Sequence, residues 1–140
     1  MFYDFSNYQS IEDIEDLNIL HTQLLSTIKK HVIEPYVGIY LIGSFCFNIN
    51  NSNDIDIMYC TPKKYKRIHL KTFEYNKLLT NIFNKKIQLF FRTQPTFFSF
   101  MEKISNPPHF DLINLKWINK NHGDIFNKKL KKGKWVKRIM

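Results

Sequence analysis

The sequence predicts an α+β domain, a small mixed or antiparallel sheet with helices packed on one face. Three observations lead there. Residues 11–32 carry apolar side chains at three- and four-residue steps, the period of an amphipathic helix. Two β-rich apolar segments then flank the polar run Asn48 to Asn53, the pattern of a hairpin with a long loop. Beyond Pro62 a second helical period leads into KKIQLFF, a third run of β-formers.

In chain order, Ser10 and Asp13 supply a helix start, and Ile11, Ile14, Leu17, Leu20, Leu24, Leu25, Ile28 and Val32 form the buried stripe of a helix ending near Pro35. Val37 to Phe47 and Asp54 to Cys60 are the two hairpin strands, because NINNSN between them is turn chemistry. Ile68, Thr72, Tyr75, Leu79, Ile82 and Phe83 fit one helical face, so a second helix is expected to pack on the hairpin. Lys85 to Phe91 is the third strand, PTFFSFMEKI from Pro95 a short helix, and Phe110, Ile113, Leu115, Trp117 and Ile118 suggest a last helix before a basic tail. With no internal repeat and no dividing linker, the 140 residues read as one domain.

Composition narrows the class. An apolar fraction of 44% and an aromatic fraction of 16% exclude a disordered chain. No run approaches the ~18 apolar residues of a membrane span. The opening MFYDFSNYQS has neither the basic nor the apolar region of a secretory signal, so an intracellular protein with no membrane partner is expected. Two cysteines, Cys46 and Cys60, make no disulfide framework, and with His31, His69, His109 and His122 they lack zinc-ligand spacing. Ile, Lys, Asn, Phe and Tyr supply half the chain and alanine is absent; their codons point to an AT-rich genome, such as that of a virus, phage, plasmid or parasite.

Charge divides the chain. Residues 1–60 carry two basic and eight acidic side chains, whereas residues 61–140 carry 19 basic and four acidic, within a net charge of +9. Such a half suits a polyanion, because Lys and Arg gain affinity by releasing phosphate counterions; a lysine-rich surface drawn from biased codons is the alternative. The densest part is the tail, where Lys128, Lys129, Lys131, Lys132, Lys134, Lys137 and Arg138 are candidate nucleic-acid contacts.

The segment that carries chemistry is LIGSFCFNINNSNDIDI, Leu41 to Ile57. Alternation along a strand sends Asp54 and Asp56 to one face and Ile55 and Ile57 to the other. Adjacent carboxylates repel unless a cation lies between them, and hard oxygen donors suit a Mg²⁺ ion that also holds substrate phosphates, with Mn²⁺ as a substitute. Gly43 permits close backbone approach to a ligand, and Ser44 adds a hydroxyl and an amide, which suits a nucleotide triphosphate. An ordinary turn followed by an outward-facing edge strand is the alternative.

Gly43-Ser44, nine intervening residues and Asp54-Ile55-Asp56 between apolar neighbours resemble the signature of the nucleotidyltransferase superfamily. The spacing and the GSF triplet look most like the family X DNA polymerases, of the DNA polymerase beta type. The likeness covers Tyr36 to the C-terminus, strongest over Gly43 to Ile57. It implies a polymerase-beta-like palm over residues 36–100, preceded by an N-terminal helix (1–35) and followed by a helix and basic tail (101–140). It also implies Asp54 and Asp56 as catalytic metal ligands, Gly43 and Ser44 as nucleotide contacts, and transfer of a nucleotide to a hydroxyl acceptor on nucleic acid.

Two departures bear on activity. The family's third carboxylate falls on Gln88, whose amide oxygen can contact a metal but cannot accept a proton. That loss is expected to cost on the order of 10² to 10⁴-fold at the chemical step. The loop after Gly-Ser has Cys46, Phe47 and Asn48 where the polymerases carry arginine and glycine. Lys85, Lys86 and Arg92 are basic residues near the third strand that the sequence alone does not place, and Glu102 and Asp111 are substitute acids, Asp111, on a helix beyond a Pro-Pro turn, reading better as a solvent-facing or capping residue. Two further readings stay open. One is a palm without catalysis that binds nucleic acid or a protein; the other is a minimal antitoxin-like nucleotidyltransferase that modifies a protein partner.

Overall fold

The structure, a computed structural model, describes residues 14–43, 54–104 and 109–118. Its elements are α1 (Ile14–His31), β1 (Gly38–Ile42), β2 (Asp54–Thr61), α2 (Arg67–Phe83), β3 (Lys86–Thr93), α3 (Gln94–Lys103), β4 (His109–Asp111) and β5 (Lys116–Ile118). The strands form one mixed sheet in the order β3-β2-β1-β4-β5. β1 is antiparallel to both β2 and β4, whereas β2 and β3 run parallel. A parallel pair needs a crossover, and α2 supplies it. Among the described residues no helix is long and apolar enough to cross a membrane.

The helical periods place α1 and α2 against one sheet face. Leu20, Leu24 and Ile28 of α1 and Leu79 and Phe83 of α2 are fully buried against Ile39, Leu41, Ile55, Ile57 and Tyr59. α1 closes with Lys29, Lys30 and His31, cations where the helix dipole is negative. Asn84 ends α2 in the left-handed region at φ 54°, which asparagine tolerates better than most residues. Between the helices, the buried Glu34 carboxylate accepts from the Arg67 guanidinium at 2.9 Å, and its backbone carbonyl accepts from the Tyr59 hydroxyl.

Two expectations are corrected. Helices do not share one face: α3 lies on the opposite side, where Phe97 and Met101 pack with Tyr40, Met58 and Cys60. Met58 and Cys60 are apolar residues on the aspartate side of β2, so the far half of that face also needs a cover. The burial of β2 records this, alternating over Asp54 to Ile57 and continuous from Met58 to Thr61.

The expected helix over Phe110 to Ile118 is instead the β4–β5 hairpin. Asp111 Oδ1 accepts from the N–H groups of Ile113 and Asn114, and Oδ2 accepts from Asn114 Nδ2 at 2.8 Å. A side chain that satisfies the next two turn amides competes with helix formation. Phe110 turns inward whereas Ile113 and Leu115 are exposed, which no single helical stripe would produce.

Candidate active site

β2 delivers the two aspartates. Ile55 and Ile57 are buried against α1 and α2, so alternation presents Asp54 and Asp56, both half-buried, on the other face. α3 covers Met58 and Cys60 on that face. The ladder sets Ile42, Asp56 and Gln88 side by side across β1, β2 and β3, and sets Asp54 beside Lys86.

Gly43 follows β1 next to this row. Its φ of +76° is a conformation that L side chains rarely adopt, and a Cβ there would lie 2.8 Å from Asp56 Oδ2. The backbone geometry favours glycine, and a Cβ would also displace the Asp56 carboxylate. Gly43 and Asp56, ten residues or more apart in the sequence, are thus neighbours in the fold.

Asp56 Oδ1 is buried and, among the described residues, has no hydrogen-bond partner. Burial and then the charge of Asp54 raise its pKa above the ordinary carboxylate value, against a smaller lowering by Lys86. An orphaned carboxylate oxygen beside a second carboxylate fits a cation, which would satisfy the oxygen and offset the repulsion. Among the described residues no three His, Cys, Asp or Glu side chains converge. A hard ion such as Mg²⁺ held by Asp54 and Asp56 would therefore complete its shell with water and substrate oxygens.

Gln88 stands beside Asp56 on β3 and brings an amide in place of a third charge. The lysines the sequence could not place come into view around the pair. Lys86 lies in register with Asp54, and Lys85 is pushed down by burial while the Asp54 charge opposes that shift. Ladder register carries this information, and register between parallel strands is set by α2 packing that no local motif displays.

Other candidates take structural places. Asp111 anchors the β4–β5 turn. Glu102 is exposed near the end of α3. Cys60 is buried, with its thiol pushed up to about 12 by that burial, so it is an unreactive packing group. Ser44, Cys46 to Asn48, and the tail residues Lys128, Lys129, Lys131, Lys132, Lys134, Lys137 and Arg138 lie outside the described residues.

The chain matches no family model, no curated protein and no solved structure.

Proposed function

We propose that the chain is a nucleotidyltransferase with a polymerase-beta-like palm, transferring a nucleotide from an NTP or dNTP to a hydroxyl acceptor on nucleic acid. The observation that carries the reading is Asp56: its orphaned Oδ1 is buried beside Asp54, its Oδ2 leans over Gly43, and Gln88 is its neighbour on β3. Together these give a charged pair, a close-approach glycine and an adjacent strand around one point.

Asp54 and Asp56 would hold Mg²⁺, which when bound neutralises the triphosphate and the leaving group and makes the attacking hydroxyl more acidic. The glycine at position 43 lets the backbone come close to the phosphates. The amide of Gln88 can orient the attacking hydroxyl by a hydrogen bond but cannot take its proton. The basic half of the chain, net +15 over residues 61–140, suits an acceptor rich in phosphate.

Gln88 favours a second reading, a palm of the same shape that binds nucleic acid without catalysis. The deciding experiment incubates the protein with labelled NTPs and dNTPs, in Mg²⁺ and then Mn²⁺, with DNA primers, RNA and tRNA, beside Asp56→Asn. Incorporation that disappears in the variant is the expected result. Salt-sensitive nucleic-acid binding with no incorporation in any mixture overturns the first reading in favour of the second.

A further inference from the structure

At the other end of β2 and β3, about four residues or ~13 Å along β3 from Gln88, the structure holds a cavity of about 540 Å³ bordered by α2, the edge strand β3 and the start of α3. That volume lies within the range of small-ligand sites. Asp54 and Asp56 are not part of it.

Its chemistry has one sign. Lys64 and Arg92 line it, no carboxylate among the described residues does, and the hydroxyls of Thr61, Thr93 and Thr96 add polar groups. Arg92 also lies over the Phe100 ring, its guanidinium 4.7 Å from the centroid. Neither α2 nor α3 has an acidic residue in its first turn.

The β3 edge adds a backbone donor. Its outward N–H groups at Ile87 and Leu89 donate to Thr80 Oγ1 and Asn76 Oδ1 of α2, both at 2.9 Å. Alternation makes Phe91 the next outward N–H, and Phe91 borders the cavity. One turn before Asn76 on α2, Thr72 donates its hydroxyl to the Ile68 carbonyl. No described side chain accepts from the Phe91 N–H. Beside these donors Phe90 is 40% exposed, a large apolar ring left at the cavity where a flat ligand could stack.

We propose that this cavity is a second binding site, for a nucleobase together with its phosphate, separate from Asp54 and Asp56. Arg92, Lys64 and the Phe91 N–H take the phosphate, and Phe90 takes the base. Free nucleotides and the links of a single strand share this chemistry, so both serve as probes.

Adenosine 5′-monophosphate and a short single-stranded oligodeoxyadenylate are titrated separately, without divalent metal, into the ¹⁵N-labelled chain. The expected result is that amide signals of Phe91, Arg92 and Thr93 move with one or both probes. Lys64→Gln with Arg92→Gln then weakens that binding at least tenfold, and Asp56→Asn leaves it unchanged. Movement with the oligonucleotide alone still supports the site and assigns it to a strand. Unmoved amides, undiminished affinity in the double variant with its remaining spectrum intact, or competition by inorganic phosphate as strong as by the nucleotide overturns the proposal. Because Asp56→Asn is silent here, failure at this cavity is distinct from failure of the transferase reading.

Discussion

Asp56 is a carboxylate held at a disadvantage. Burial and Asp54 raise its folded pKa above the unfolded value, so the folded state binds the proton more tightly and stability falls as pH rises from the unfolded pKa through the folded one. Without metal, Asp56→Asn removes this cost, and the melting temperature at neutral pH is expected to rise. In the same variant the stabilisation of the wild type by Mg²⁺ with nucleotide should vanish. A wild-type melting temperature indifferent to Mg²⁺ and nucleotide together would contradict the metal assignment.

Gly43 and Gln88 belong to the same scale. Gly43→Ala forces a Cβ to 2.8 Å from Asp56 Oδ2 at a positive φ, with an expected loss of about 1–3 kcal/mol, read by chemical denaturation. Restoring charge at the neighbouring position by Gln88→Asp is expected to raise nucleotide incorporation if the missing carboxylate limits the chemical step. An unchanged or lower rate would show that the site works without one.

At the scale of elements, the β4–β5 hairpin and α3 are the parts that differ from the sequence reading, the first in type and the second in the sheet face it covers. Asp111→Ala removes the acceptor of two turn amides and one side-chain amide, and leaving such groups unpaired costs about 1–3 kcal/mol. The melting temperature should fall while the Mg²⁺-dependent increment survives, because Asp111 anchors a turn and does not belong to the cation pair. Loss of that increment would make Asp111 a ligand. α3 separates the face of β2 into a covered half at Met58 and Cys60 and the half bearing the aspartates.

At the scale of the molecule, the charge division has a measurable consequence. An acidic first half contributes the aspartate pair and a basic second half contributes β3 and the tail. Deleting Lys128 to Met140 removes seven cations. If they meet phosphates, the slope of log affinity for nucleic acid against log salt should flatten by up to ~0.9 per lost duplex contact. A filter-binding series in salt checks this, and an unchanged slope would make the tail a solvated surface.

The sequence by itself determined the local elements: α1, the β1–β2 hairpin, α2 and β3 follow from apolar period and from the break at Pro62, the polar run Asn48 to Asn53 lying outside the described residues. It also determined that Asp54 and Asp56 share a face, because alternation is a property of any strand. Tertiary structure alone decided what stands beside them. The parallel register that brings Gln88 to Asp56 and Lys86 to Asp54, the approach of Gly43 to the carboxylate, and the placement of α3 depend on contacts between residues distant in the chain. Phe110 to Ile118 shows the limit most directly: a short apolar set fits helix and strand alike, and the hydrogen bonds of Asp111, with the pairing of β4 on β1, selected the hairpin.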